Sequence, residues 1–322
     1  MDKYTSKWLD SYPPRHHKRR LAALERFREF VKKEPKALLQ KAKRSDRGCE
    51  ELEDSLEKYY SYLIEQGRAK SSAAQWYAVV RSYFTRNRVS LARFPRKISL
   101  QSVYETTDVL SQEEVKKMVQ SRNSIRDQAV IAFLAQTGQR IGVLTATKRN
   151  MIRRRGSHGL VEVPGGALFQ NPKGQNVNKY QVHYKFVIGE DTMQLIDKLP
   201  ECEGGWLFDI SERQMARIVN EAASDIGTQE PIQTKVNGRS LHRVHPHVFR
   251  KYWKRQMKLG GTKDRDLLLD FVMAHKLPYG GAYDAFPDED VLKAYKRAEP
   301  KLKLLAQDDC RRRRSVVSRP HA

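Results

Sequence analysis

Six side chains of the kinds that handle phosphate esters lie in the second half of the sequence. Paired guanidinium groups can hold phosphate oxygens, histidine and lysine can transfer protons, and a tyrosine hydroxyl can attack phosphorus and later leave it. The six candidates are Arg140, Lys173, His247, Arg250, His275 and Tyr283. Such a set can break and rejoin a phosphodiester without a metal ion or a nucleotide, so we expect no cofactor.

The non-bridging oxygens of a phosphodiester gather negative charge when phosphorus is attacked. Arg140 and Arg250 are the candidates to hold them, and by analogy with oxyanion holes each donor contributes about 10²- to 10³-fold in rate. Tyr283 is the candidate nucleophile, because nearby cations favour the phenolate over the phenol. Tyr295 is the alternative, but it lies on the apolar face of the last predicted helix, which favours a place in the core.

Proton transfer needs further groups. Lys173, on a predicted hairpin, can protonate the departing sugar oxygen, although a lysine in such a place is as often simply solvated. His247 shares a predicted helix face with Arg250 and can take the proton from the tyrosine. His275 can donate a hydrogen bond to a phosphate oxygen.

The composition favours a polyanionic partner. The 322 residues carry a formal net charge of +23, and the sequence pI is near 9.9, values typical of proteins that bind DNA or RNA. A basic ribosomal or membrane-surface protein is the alternative. The chain is long enough for two domains, its start lacks the apolar segment of a signal peptide, and its longest apolar run, 129–135, is too short to span a bilayer.

Cysteine and histidine usage does not favour a disulfide framework or a metal site. Cys49, Cys202 and Cys310 are far apart, with no Cys-x-x-Cys pair, which is typical of a reducing compartment. His242 and His245 are close together, but no Asp, Glu or Cys lies nearby to complete a zinc set. We therefore expect a soluble, cytoplasmic protein.

The amino-terminal third predicts a small helical domain. Residues 1–20 are polar and interrupted by prolines, which indicates a loose leader. Apolar residues, including the aromatic ones that we assign to the core, recur at helical spacing over 21–40, over 52–66 and from 71 onward, and Gly67 can end the second helix. Lysines and arginines occupy the other faces, so the domain can grip a phosphate backbone, with a plain solvated bundle as the alternative.

A domain boundary is expected where the helical period is lost around Pro95. Ser111 and Glu114 then form the pattern of a capping box, which opens a new helix. We expect an amino-terminal domain of residues 1–105 and a second domain of residues 106–322. The basic end of the second domain is expected to be a disordered tail.

The second domain is predicted to be mainly α with a small antiparallel β-sheet. The helix over 125–137 is apolar almost all round, so it should be the buried centre, and Gly138 breaks it just before Arg140. That place between two apolar helices favours a phosphate ligand over a surface ion pair for Arg140. Alternation over 158–190 predicts the antiparallel sheet, with a hairpin tip at 172–179. Further helices are predicted over 211–223, then after a basic loop from Pro246, over 266–275 and from 288.

This ordered set of residues resembles the tyrosine recombinase (phage integrase) family. The matching pieces are Thr-Gly-x-Arg at 137–140, Lys173 in the hairpin, His-x-x-Arg at 247–250, Ala-His at 274–275 and Tyr283. The resemblance covers roughly residues 108–305 and implies an amino-terminal core-binding domain and a catalytic domain that close as a C-shaped clamp on duplex DNA. It also implies cutting and rejoining of DNA at specific recombination sites through a 3′-phosphotyrosyl intermediate. The resemblance further implies a protein that is a monomer or dimer when free and a homo-tetramer on paired DNA sites.

The chain departs from the family pattern at three positions. Val143 stands where an acidic residue is common, Ala274 stands where glycine precedes the histidine, and Lys251 follows the second arginine where many members have histidine. We expect the first two departures to loosen packing around the site. Tyr283 followed by a second tyrosine, Tyr295, looks more like archaeal and mobile-element integrases than like bacterial chromosome-dimer resolvases.

Two other functions fit part of this pattern. A type IB topoisomerase uses a similar set of residues to relax supercoils, and a DNA-binding regulator can keep the clamp without catalysis. The last predicted helix, from 288, has an apolar stripe, and we expect it to dock on a neighbouring subunit.

Overall fold

The computed structural model describes most of the chain. The described residues are 1–68, 70–91, 109–166, 168–229, 231–236, 239–261, 266–275 and 286–305. The chain divides into two compact units, residues 1–104 with 233–241 and residues 105–232 with 242–322, and each unit has its own hydrophobic core. The predicted boundary between 105 and 106, the linker around Pro95 and the basic tail lie outside the described residues.

The described part of the first unit is helical. Its helices are α1 (Lys3–Asp10), α2 (His17–Val31), α3 (Pro35–Arg44), α4 (Asp46–Glu65) and α5 (Lys70–Arg86). Their apolar faces enclose a core that contains Phe27 and Tyr59. Tyr83 and Phe84 of α5 are buried in it as predicted, whereas Trp76 is half-buried with the guanidinium groups of Arg26 and Arg68 against its ring.

The predicted loose leader is wrong, because α1 lies within it. Asp2 caps this helix by accepting the Tyr4 N–H at 2.9 Å. Trp8 is fully buried, and its indole N–H donates to Ser82 Oγ of α5 at 3.0 Å. The polar composition of the segment did not reveal this contact, which joins residues far apart in the sequence.

The single helix predicted over 21–40 is two helices. Lys32 adopts a left-handed φ of 51° at the end of α2, and Pro35 occupies the first position of α3, where a missing N–H is harmless. The next helix also begins earlier than predicted, because the Ser45 side chain caps it by accepting the Gly48 N–H. Gly67 follows the end of α4 with a φ of 74°, as predicted.

The second unit is built around one central helix. Its helices are α6 (Gln112–Gln120), α7 (Ile125–Thr137), α8 (Ile141–Ala146), α9 (Glu190–Asp197), α10 (Glu212–Asp225), α11 (Val248–Leu259), α12 (Asp266–Val272) and α13 (Asp288–Ala298). Every residue from 129 to 137 on α7 is buried, and α6, α9 and α11 pack against it, so its predicted central place is confirmed. The capping box of Ser111 and Glu114 at the start of α6 is also confirmed. No helix in the described ranges combines the length and the apolar character that crossing a membrane requires.

A small antiparallel sheet covers part of this helical core, as predicted. Its strands are β1 (Ile152–Arg155), β2 (His158–Val163) and β3 (Tyr184–Ile188), in the order β1-β2-β3. Val161 of β2 pairs with Ile152 on one side and Phe186 on the other. The segment predicted as a basic loop contains a second antiparallel pair, β4 (Pro231–Val236) with β5 (Arg239–His242).

The apolar stripe of α13 is buried on its own unit and does not need a neighbouring subunit to cover it. The predicted docking on a neighbouring subunit stays a prediction. Tyr295 is part of the same core as α7. The chain beyond α13 is held by two glutamines, since Gln136 Nε2 donates to the Leu302 carbonyl at 3.0 Å and Gln112 Nε2 donates to the Lys303 carbonyl at 2.8 Å. The apolar stripe of α13 therefore packs against the core of the second unit.

Candidate active site

The turn after α7 forms one wall of the candidate site. Helix α7 ends at Thr137, whose hydroxyl donates to the Phe133 carbonyl at 2.7 Å, and Gly138 then adopts a left-handed φ of 63°. A Cβ at Gly138 would lie 2.7 Å from Cγ of Trp253, which is buried on α11. Only glycine meets both demands, so the Thr-Gly pair marks the close approach of this turn to α11.

Arg250 is the buried centre of the candidate site, with 2% of its surface exposed. Its Nη1 donates to the Gly138 carbonyl at 2.7 Å, and its Nη2 donates to the Met273 carbonyl at 2.8 Å and lies 3.4 Å from His275 Nε2. Among the described residues no carboxylate forms an ion pair with Arg250. Burial, and second the positive charge of Arg140, lower the pKa of Arg250 to about 10.

His275 follows α12 at a sharp corner. Ala274 adopts a left-handed φ of 51°, the Ala274 N–H donates to the Phe271 carbonyl, and the His275 N–H donates to the Asp270 carbonyl, each at 2.9 Å. This is a Schellman ending, in which glycine is the usual left-handed residue. Ala274 and Val143 are both buried in the core, and the looser packing expected at these two positions stays a prediction. Alanine in the left-handed conformation at this corner carries backbone strain of about 1–2 kcal/mol.

Two charged residues that the sequence analysis did not select hold the His275 ring. Asp270 Oδ1 accepts from His275 Nδ1 at 3.0 Å, and Lys254 Nζ donates to the same oxygen at 3.0 Å. Burial lowers the pKa of His275, as do the charges of Arg250 and Lys254, while Asp270 acts to raise it. A carboxylate five residues before a histidine that follows a helix is the only sequence signal for this contact.

Arg140 lies at the start of α8 and is half-buried. Its guanidinium carbon is 5.4 Å from the ring centroid of Tyr180, and Lys179 Nζ is 5.1 Å from the same centroid. Burial raises the pKa of Tyr184 on β3, and the charges of Arg140 and Arg250 both oppose this rise. The positive charges of Arg140 and Arg250 therefore both reach Tyr184. The sequence analysis did not select Tyr180 or Tyr184 as part of the site.

Lys173 lies at a turn between β2 and β3, where the hairpin tip was predicted. Asn171 Oδ1 accepts the backbone N–H groups of Lys173 and Gln175, both at 3.0 Å, and these bonds fix the turn. The Lys173 side chain is exposed. Val177 packs on α8, since a Cβ at Gly142 would lie 3.3 Å from Val177 Cγ1. The hairpin is thereby attached to the helix that Arg140 begins.

His247 lies immediately before α11 and is exposed. The helix begins at Val248, so Pro246 is not in its first turn and that prediction is wrong. Partial desolvation lowers the pKa of His247, and the positive charges of Arg250 and Arg140 lower it further. A neutral imidazole at pH 7 is favoured as a result, and this is the form that can accept a proton.

Of the two candidate nucleophiles, Tyr283 lies outside the described residues and Tyr295 lies within them. Tyr295 is 2% exposed, and its hydroxyl is buried without a hydrogen-bond partner in the described part of the chain. Burial, together with the negative charges of Glu299 and Asp191, raises the pKa of Tyr295 well above its usual range. The predicted place of Tyr295 in the core is confirmed.

The described part of the site is positively charged. It joins a buried guanidinium, a second guanidinium whose charge reaches it and an imidazole whose Nε2 points at the first. Within the described ranges, no three His, Cys, Asp or Glu side chains form a group that could hold a metal ion.

Comparisons with known proteins find similarity in the fold alone. No family model matches the sequence, and no curated protein matches it. The fold is similar to that of the XerH site-specific recombinase bound to palindromic difH substrate in a post-cleavage complex, with a TM-score of 0.50 and 12% identity over 83% of this chain and 72% of that chain. The Tn1549 transposon integrase in complex with a circular intermediate DNA gives a TM-score of 0.49 and 12% identity over 76% of this chain and 84% of that chain. The integrase from mycobacterium phage Brujita gives 0.43 and 14% over 95% of this chain and 93% of that chain.

Proposed function

We propose that this protein is a site-specific DNA recombinase that cuts and rejoins strands through a 3′-phosphotyrosyl intermediate. The observation that carries the proposal is the buried Arg250, whose contacts among the described residues are two carbonyls and an imidazole. Burial of a cation is unfavourable, and the lowered pKa of Arg250 reflects its burial and the nearby charge of Arg140. A phosphate oxygen is the ligand that relieves this cost with paired hydrogen bonds.

The reaction follows from the roles of the six side chains. The Tyr283 oxygen forms a bond to phosphorus and its proton passes to His247, while the bond from phosphorus to the 5′ oxygen breaks and Lys173 protonates that oxygen. Arg140, Arg250 and His275 hold the non-bridging oxygens. Rejoining reverses these steps with the 5′ hydroxyl of a second strand, so the phosphodiester bonds are conserved and no cofactor is consumed.

The remaining features of the proposal concern DNA binding and assembly. The net charge of +23 attracts duplex DNA, and the helical first unit serves as the core-binding domain, with the domain boundary near residue 106. The active assembly is a homo-tetramer on two paired sites. The similar fold of the XerH site-specific recombinase, solved bound to its difH substrate, supports a DNA partner.

The test is capture of the covalent intermediate. The protein is incubated with nicked duplexes from host and element-end DNA, in which the departing strand diffuses away and the adduct accumulates. We expect a covalent adduct on a denaturing gel, with Tyr283 identified by peptide mapping. Tyr283→Phe should abolish the adduct, whereas Tyr295→Phe, which removes a buried hydroxyl, should retain it.

Two results would change the proposal. An adduct that persists in Tyr283→Phe and disappears in Tyr295→Phe would reverse the choice of nucleophile. Relaxation of plasmids that lack any specific site, without strand exchange between two defined sites, would assign a topoisomerase instead. The absence of any adduct on all duplexes would leave a DNA-binding regulator as the function.

A further inference from the structure

Asp270 holds both the backbone and the ring of His275. Its carbonyl accepts the His275 N–H at 2.9 Å, and its Oδ1 accepts from Nδ1 of the ring at 3.0 Å. The two contacts fix where the residue is and how its ring is turned. The ring can then rotate only by breaking the bond to the carboxylate.

The contact between Asp270 and His275 is part of a network of side chains that joins α11 to the end of α12. Arg250 and Lys254 are four residues apart on α11 and therefore face the same side. Lys254 Nζ donates to Asp270 Oδ1 at 3.0 Å, and the Arg250 Nη2 lies 3.4 Å from His275 Nε2. Among the described residues, the charged groups that act on the His275 ring are Asp270 of α12 and Arg250 and Lys254 of α11.

The chemistry of the network decides which ring nitrogen carries a proton. A carboxylate only accepts hydrogen bonds, so Nδ1 of His275 must carry the hydrogen. In the neutral ring Nε2 is then an acceptor for the Arg250 N–H. A hydrogen bond from Nε2 to a phosphate oxygen needs the doubly protonated ring. Asp270 favours that form, whereas burial, Arg250 and Lys254 oppose it.

We propose that Asp270 is a positioning residue that keeps neutral His275 as the Nδ1–H tautomer. Its negative charge also stabilises the doubly protonated ring, whose Nε2–H can donate to the scissile phosphate. Lys254 opposes this effect, as burial and Arg250 do, and lowers the pH at which it occurs. The inference deepens the proposed function and rests on it for the identity of the anion. The state of the His275 ring can be measured without DNA.

The first experiment is a ¹⁵N-histidine NMR titration of the full chain. The His275 signals are assigned by their loss in His275→Gln. Wild type should show the Nδ1–H tautomer. Asp270→Asn should lower the pKa of His275 and reduce the population of that tautomer, because an amide can also donate to Nδ1. Lys254→Met should raise the pKa.

The matched control is Lys116→Met, which removes a lysine that is 31% exposed, against 33% for Lys254, and is also paired with a carboxylate. It should leave the His275 signals unchanged. Shifts of the same sign in Asp270→Asn and Lys254→Met, or an Nε2–H tautomer in wild type, would overturn the inference. A variant that only disturbs folding would not give opposite shifts.

The second experiment measures adduct formation against pH. At pH 8 the Asp270→Asn rate should fall about tenfold and recover towards pH 6, because a neighbouring charge changes the protonated fraction by about that factor. Asp270→Glu should restore part of the rate, and Lys254→Met should extend activity to higher pH. A uniform loss at every pH would refute the charge effect. If wild type forms no adduct, the proposed function fails, and the NMR result still decides whether Asp270 controls His275.

Discussion

Substitution of Gly138 by alanine tests the close approach of the α7 turn to α11. Alanine at a left-handed φ of 63° adds strain of about 1–2 kcal/mol. Its Cβ would lie 2.7 Å from two ring carbons of Trp253, whereas carbon atoms pack at about 3.5–4.0 Å, so the buried indole must move by roughly 1 Å. Overpacking of this kind costs about 1–3 kcal/mol, and the two effects together predict a loss of about 2–5 kcal/mol.

Gly156→Ala is the matched control. Gly156 has a φ of 66° and nothing within 4 Å of its ideal Cβ, so alanine there adds strain without a clash. Alanine lowers the entropy of the unfolded chain equally at both positions, and this contribution cancels in the comparison. The difference between the variants, about 1–3 kcal/mol, isolates the contact with Trp253.

Hydrogen exchange is the suitable assay, because a chain with two separate cores need not unfold in one step. The amides of α7 and α11 report the opening free energy of the second unit. Gly138→Ala should also slow adduct formation, since the Gly138 carbonyl accepts from Arg250 at 2.7 Å. A loss of stability no larger than that of Gly156→Ala would refute the reasoning.

Three further substitutions test other parts of the second unit. Arg250→Lys should reduce adduct formation by about 10²- to 10³-fold on the gel, because an ammonium group cannot reach both carbonyls and the phosphate. Gln136→Leu should destabilise the unit by about 2–4 kcal/mol in hydrogen exchange, because it leaves the buried Thr192 N–H and the carboxylate of Asp191 with fewer partners. Glu299→Gln should destabilise the unit at pH 7 and have little effect in acid. Burial acts to raise the Glu299 pKa, but the hydrogen bonds from His158 and from the Glu190 N–H, with the charges of His158 and Lys303, together outweigh burial and lower it. The stability that the ionised carboxylate supplies is therefore lost as pH falls below about 4.5.

Two of these substitutions have a matched control within the chain. Arg149→Lys changes an arginine that also holds backbone carbonyls, at 2.7 and 2.9 Å, and adduct formation should remain near wild type. Gln128→Leu removes one partly buried hydrogen bond and should cost about 1 kcal/mol. Equal effects of Arg250→Lys and Arg149→Lys, or of Gln136→Leu and Gln128→Leu, would contradict the predictions, as would a Glu299→Gln effect that grows in acid.

Much of the second unit was predictable, because its signals are local. The apolar positions of α7, the capping box at Ser111 and the turn residues near Lys173 each act through neighbours within a few residues. The first unit was predicted less well. Trp8 on α1 donates a hydrogen bond to Ser82, which is 74 residues away, and no local sequence pattern predicts such a contact.

The sequence by itself determined which residue types are available for phosphate chemistry and, in the second unit, the central helix α7 and the antiparallel sheet, because residue type and periodicity are properties of the chain. Only the tertiary structure decided that Arg250 donates to a carbonyl 112 residues away, that Asp270 and Lys254 meet at one oxygen beside His275, and that α13 is buried on its own unit. These contacts join segments far apart along the chain. They form only when packing of the core brings those segments together, and the packing depends on every buried side chain at once.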